Sequence, residues 1–169
     1  MSGDPGPPAR DPSGPGPAAP GSPPGSAPFP FGRVLIAVPP GPPNPRVRDF
    51  LDAVVRAGAE ATVCHVVLRS TTGAADATDG APANPEELGI VRELRRGLLG
   101  HLPAGAREVP IRILHGDPGE RIVEYAAFSR CDLIVLGPRA RPSLGAWLRG
   151  SVSRSVAGNS RCSVLWMGD

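Results

Sequence analysis

The chain contains no lysine; its cationic residues are 18 arginines, set against 16 acidic residues for a net charge of +2. So small a surplus offers no footing for nucleic acid or for an anionic membrane surface. The arginine-only usage accompanies abundant Ala, Gly and Pro, the joint signature of a GC-rich coding sequence rather than of bidentate anion recognition. Aromatic residues are only 4% of the chain, so a core has to be built from Val, Leu, Ile and Ala. The three cysteines, Cys64, Cys131 and Cys162, are too few for a disulfide framework and lack metal-ligand spacing. Each adjoins an apolar run, as buried or half-buried free thiols do in a reducing compartment. No apolar stretch approaches the roughly 18 residues of a membrane span, and the N-terminus lacks the apolar segment of a secretory signal. A soluble, cytoplasmic protein is the expectation.

Proline and glycine are plentiful, and they are unevenly placed: eleven of the 23 prolines fall in the first 31 residues. That stretch holds almost nothing to bury and cannot offset the entropy of ordering. Residues 1–31 are therefore expected to form a disordered tail with local polyproline II character, and residues 32–169 a single α/β domain.

Within 32–169 the pattern alternates. Arg33 to Val38 is a short β-branched run of the buried parallel type, stopped by Pro39-Pro40-Gly41. Asn44-Pro45 is a cap followed by proline at the first helical position. Val47, Phe50, Leu51, Val54 and Val55 then form one helical face, and Gly58 ends it. Thr62 to Leu68 reads as a second strand. Asn84-Pro85-Glu86-Glu87 opens a second helix with acidic residues where the macrodipole favours them; Leu88, Val91, Leu94, Leu98 and Leu102 are its expected inner face. Val109 to His115 is a third strand. Asp117-Pro118-Gly119-Glu120 is a strong helix start, with Ile122, Val123, Ala126 and Ala127 expected to face inward. Leu133 to Leu136 is a fourth strand, Gly150-Ser151 begins a last helix carrying Val152 and Val156, and Cys162 to Met167 is a fifth strand.

Strands alternating with single helices imply a doubly wound parallel sheet, five strands in the order 3-2-1-4-5 with helices on both faces. Such sheets bind ligands beyond the carboxyl ends of their strands, where the winding reverses. That point lies between the first and fourth strands, at Val38-Pro39-Pro40 and at the loop from Gly137 to Ser151. Gly137 lets a ligand approach the main chain without a Cβ in the way. A helix starting at Gly150-Ser151 would aim its free N–H groups at the same crevice, and Arg139, Arg141 and Arg149 add positive charge. There is no Walker A sequence and no lysine to serve one. His65 and His115 read as satisfied strand residues and His101 as a helix-end residue. No histidine has neighbours spaced for a metal, and no Gly-x-Ser-x-Gly elbow is present.

The Gly116-Asp117-Pro118 helix start, the strand Asp132-Leu133-Ile134-Val135-Leu136-Gly137 and the opening Gly150-Ser151-Val152-Ser153 resemble those of the universal stress protein family, over roughly residues 32–169. Nucleotide-binding members carry Gly-x2-Gly-x9-Gly-[Ser/Thr] after strand four, and Gly137, Gly150 and Ser151 match in register. The resemblance implies an adenine-nucleotide site at Val66, Gly137, Ala140, Gly150 and Ser151, with ATP as ligand, and a homodimer through the last strand, where Trp166 lies. Two positions depart from the pattern. Ala140 replaces the second glycine, and Pro39 stands where similar nucleotide-binding proteins have an Asp that contacts the nucleoside. Proline removes both that carboxylate and a backbone donor.

The expected function is that of a non-catalytic stress-response protein that dimerises and binds with a weakened or lost nucleotide site. A competent ATP-binding switch with slow hydrolysis and a purely structural interaction module remain the alternatives.

Overall fold

The computed structural model describes residues 29–39, 41–68, 80–102, 108–137 and 146–167, and of 146–150 the backbone alone. The expected tail (residues 1–28 of it), Ala140, Arg139, Arg141 and the side chains of Trp147 and Arg149 lie outside the described residues.

The elements are β1 (Arg33–Ala37), α1 (Pro45–Arg56), β2 (Glu60–Val67), α2 (Pro85–Leu94) continued by a π-helical turn (Arg95–Leu99), β3 (Ile111–His115), α3 (Pro118–Phe128), β4 (Leu133–Leu136), α4 (Ala146–Asn159) and β5 (Ser163–Trp166). The five strands form one parallel sheet in the order β3-β2-β1-β4-β5, the expected doubly wound topology.

Alternation along β1 divides the core into two layers. Val34, Ile36 and Val38 face α1 and α2, meeting Val47, Leu51, Val54, Leu94, Leu98 and Leu99. Leu35 and Ala37 face α3 and α4, meeting Ile122, Ala126 and Val156. Two caps behave as the sequence predicts: the Asn44 side chain accepts from the Arg46 N–H, and Asp117 accepts from the Glu120 N–H. Each removes an orphan donor from a helix start, a contribution of about 1 kcal/mol.

Four local expectations change. Phe29 and Phe31, expected in the tail, pack edge to face with each other, and Phe29 does the same with Phe50 of α1. Leu88 is exposed and its neighbour Glu87 is buried instead; the hydrogen bonds that take Glu87 inward are described below. The widened turn at 95–99 rotates the end of the helix, so that consecutive Leu98 and Leu99 both reach the core. Ala127 is exposed, because the face of α3 toward the sheet is only as wide as Ile122 and Ala126.

Candidate functional site

The crevice begins where β1 and β4 end side by side, with Ala37 opposite Leu136. The Gly137 N–H donates to the Ala37 carbonyl at 2.9 Å, continuing the ladder one residue past the strand. A Cβ on Gly137 would lie 3.2 Å from Val47 Cγ2, 3.4 Å from the Ala37 carbonyl oxygen and 3.8 Å from Pro39 Cδ. Gly137 and Pro39 are thus immediate neighbours, and the close approach accounts for glycine here. At the end of β1 the Val38 N–H donates to the Cys64 carbonyl (2.9 Å), and the Val38 carbonyl accepts from His65 Nδ1 (2.9 Å). Since a carbonyl can only accept, Nδ1 carries the proton. Burial pushes the His65 ring below its ordinary titration range, against the opposing effect of that hydrogen bond. His65 is therefore a neutral strut that holds the backbone leading to Pro39. Pro39 itself brings neither a carboxylate nor an N–H to the crevice.

Val66 stands on β2, half-buried and paired with Leu114 of β3. Next to it the Val67 carbonyl accepts from the Gly116 N–H at 3.0 Å, which leads the chain into α3. The first turn of α3 lies directly on α4: a Cβ on Gly119 would come within 2.6 Å of Ser155 Oγ. Only glycine permits that approach.

One expected feature is corrected. α4 starts at Ala146, not at Gly150-Ser151. Ala146, Trp147, Leu148 and Arg149 are competent helix formers, and an interior glycine costs only about 1 kcal/mol relative to alanine. Gly150 and Ser151 therefore sit in the second turn, with Ser151 exposed. The N–H groups that helix formation leaves without a partner fall at 146–148, one turn earlier than the sequence suggests. Any anion held by this helix would meet those donors. The structure brings Gly137 and Pro39 together and places Val66 on β2, next to β1 and on the side away from Gly137; Ala140 lies outside the described residues.

A second polar cluster, at the carboxyl end of β3, was not apparent in the sequence. Asn84 caps α2 by accepting from the Glu87 N–H at 2.9 Å. The Glu87 carboxylate accepts in return from the Ala83 N–H (2.7 Å), from Asn84 Nδ2 (3.0 Å) and from His115 Nε2 (2.9 Å). This is a reciprocal capping box with a histidine added. Burial pushes the Glu87 carboxyl up, but donors from Ala83, His115 and Asn84 together outweigh it and leave the group below its ordinary range. The Asn-x-x-Glu spacing at 84–87 was the available signal. Both side chains of the Glu87–His115 pair are only 6% exposed, so the cluster ties α2 to β3 and offers a ligand little surface.

At the opposite end of the sheet, Asp132 accepts from the Gly32 N–H (Oδ2, 2.9 Å) and the Arg33 N–H (Oδ1, 3.0 Å), clamping the start of β1 to β4. Among the described residues, no group of three or more His, Cys, Asp or Glu side chains is placed to hold a metal ion. No described helix is long and apolar enough to cross a membrane.

The sequence model of the universal stress protein family matches residues 30–167. The chain belongs to this family. Universal stress proteins of Methanocaldococcus jannaschii and Thermus aquaticus are each 38% identical to it, over 58 and 53 residues. Those segments cover 34% and 31% of this chain and 34% and 39% of the relatives, so they span well under half of either relative. A universal stress protein solved in complex with cAMP matches 82% of this chain and 97% of its own, at 19% identity and a TM-score of 0.53. The Archaeoglobus fulgidus universal stress protein in complex with dAMP matches 80% and 97%, at 15% identity and a TM-score of 0.51. At these identities the likeness is one of fold. Two of these solved universal stress proteins hold adenine nucleotides, cAMP in one and dAMP in the other.

Proposed function

We propose that this universal stress protein acts without catalysis, as a dimerising protein whose crevice between β1 and β4 binds adenine nucleotide weakly. The observation that carries the reading is the pairing of a preserved Gly137 with Pro39 in one crevice. Gly137 turns the chain out of β4 at the switch point with its own N–H held by Ala37, so the donors for a phosphate are those at the start of α4. Pro39 removes the carboxylate that similar nucleotide-binding proteins direct at the nucleoside. A hydrogen bond to a charged group is worth about 1.5–3 kcal/mol, so its loss weakens binding by roughly ten- to a hundred-fold. Val66, Gly137, Ala140, Gly150 and Ser151 remain the candidate contacts, with the donors at 146–148 added. ATP, ADP and AMP share the adenosine moiety affected by Pro39 and are expected to bind with similar weakness.

Dimerisation is supported by β5. It is an edge strand of the sheet, with Leu165 and Trp166 38% and 64% exposed. An edge that presents unpaired backbone beside large apolar side chains favours pairing with another strand. Light scattering should give twice the chain mass for the wild type and a monomer for Trp166→Glu. A monomeric wild type would overturn the dimer.

The nucleotide reading is tested by thermal shift with ATP, ADP and AMP, with and without magnesium. The expected result is a rise of a few degrees at millimolar nucleotide, independent of magnesium and absent in Gly150→Trp. Saturation at micromolar ATP with release of phosphate would instead favour a competent switch. No shift at any concentration would leave a purely structural module.

A further inference from the structure

Outside the crevice, the chemically distinctive feature is a pair of thiols at the amino ends of β4 and β5. Leu133 pairs with Ser163, and the Ser163 N–H donates to the Asp132 carbonyl at 3.2 Å as the first bond of that ladder. Cys162, directly before Ser163, thus lies near Asp132 and the turn that carries Cys131. Neighbouring parallel strands lie about 4.8 Å apart, and Cys131 and Cys162, each just before its strand, are near enough for Cys162 to raise the titration of Cys131. A disulfide needs a Cα separation of roughly 4.4–6.8 Å.

Strict alternation would send the two side chains to opposite faces of the sheet. The turn through Arg130, at φ 53°, takes Cys131 out of that alternation. Both cysteines pack with Ile122, Ala126, Ile134 and Val156 on the face covered by α3 and α4. Both also line one cavity of about 100 Å³. Ala127, Asn159 and Arg161 at its rim are exposed, so a small solute reaches the thiols from solvent. Cys131 and Cys162 are free and half-buried, whereas Cys64, on the same face, is fully enclosed.

We propose that Cys131 and Cys162 form an oxidisable dithiol, a modification site for two-electron oxidants of the hydroperoxide class, which closes to a disulfide across the β4–β5 edge. The Cys162 thiolate attacks the peroxide oxygen, the O–O bond breaks, and Cys162 becomes a sulfenic acid as the leaving oxygen departs protonated. The Cys131 sulfur then attacks Cys162 Sγ, the S–O bond breaks and water leaves. Two thiols lose two electrons and two protons, and the hydroperoxide is reduced to water and an alcohol, or to two waters from hydrogen peroxide.

Both thiols are slow to ionise. Burial, reinforced by the neighbouring Cys162 and Asp132 and opposed by Arg33, pushes Cys131 up to about 11; burial and Asp132 push Cys162 up as well. Arg161, at the rim, is the other charged group lining the cavity. A thiol well below its titration point gains about tenfold in thiolate per pH unit, so the pair responds to sustained rather than brief oxidation. The bond would join the approach to β4 to the start of β5, closing a long loop that contains β4 and α4.

The test uses the full chain, treated with hydrogen peroxide and digested with trypsin without reduction. Cleavage after Arg130 and Arg161 releases both cysteines as peptide N-termini, on residues 131–139 and 162–169. The expected product is those two peptides joined, 2 Da lighter than their sum and separated by dithiothreitol. Its rate of formation should rise about tenfold from pH 7 to pH 8, and the oxidised protein should melt roughly 5–10 °C higher. Cys64→Ser should still form the link; Cys162→Ser should lose it together with the melting shift. Linkage through Cys64, links only between chains, separate sulfinic acids at both sites, or no reaction would each overturn the proposal. The digest reads wild-type protein directly, so a poorly folding variant does not blunt it.

Discussion

The two ends of β1 are built with opposite chemistry. At the amino end a carboxylate, Asp132, takes two backbone N–H groups and binds β1 to β4. At the carboxyl end Pro39 supplies no carboxylate, and His65 secures the Val38 carbonyl from within. The contrast teaches that three acidic groups around this sheet serve its own backbone. Asp132 clamps strands, Asp117 caps α3, and Glu87 caps α2 while receiving His115. The fold is held at both ends, and Pro39 brings no carboxylate to the crevice.

If that division of labour is right, removing a structural carboxylate should cost stability, and adding one at Pro39 should change binding. The largest effect is expected at Glu87. Glu87→Ala removes the buried carboxylate that accepts from the Ala83 N–H, Asn84 and His115, and should lower unfolding free energy by about 3 kcal/mol at pH 7. The pH dependence follows from its depressed titration. A carboxyl held below its ordinary value stabilises fully above the unfolded value, about 4.3, and that stabilisation is lost as pH falls through the folded value. Urea midpoints of wild type and Glu87→Gln should therefore differ at pH 7 and converge below pH 4. A gap that persists at pH 3 would assign the effect to packing instead.

Asp132→Ala comes next, at about 2 kcal/mol, because two charge-assisted bonds are lost but water reaches the exposed site. Hydrogen exchange should show the loss concentrated in the first residues of β1, with the N–H of Gly32 and Arg33 exchanging soonest. Uniform loss across the sheet would mean that the clamp is not local.

Much of this organisation was legible in the sequence, for reasons that differ by element. Asn44-Pro45 and Asp117-Pro118-x-Glu120 mark helix starts by chemistry that needs no tertiary partner, and both hold. The strand order followed from β/α alternation, because right-handed crossovers leave few arrangements open. Features that depend on distant partners were not legible. Glu87 looked like an ordinary first-turn acid because His115 approaches it from 28 residues away. The start of α4 was placed too late because glycine at 150 reads as a boundary, while the residues before it sustain the helix. The proximity of Cys131 and Cys162 exists only in the β4–β5 register. At the candidate site, Gly137 and the departure at Pro39 were readable from their places in the motif; that the two touch required the fold.

The nucleotide reading turns on Pro39, which leaves the crevice without a carboxylate for the nucleoside. Calorimetric titration of wild type and Pro39→Asp with AMP tests it directly. Pro39→Asp should bind at least tenfold more tightly than wild type, about 1.4 kcal/mol, with the wild-type dissociation constant near the millimolar range. Tight micromolar binding by the wild type, unchanged or weakened by Pro39→Asp, would contradict the account.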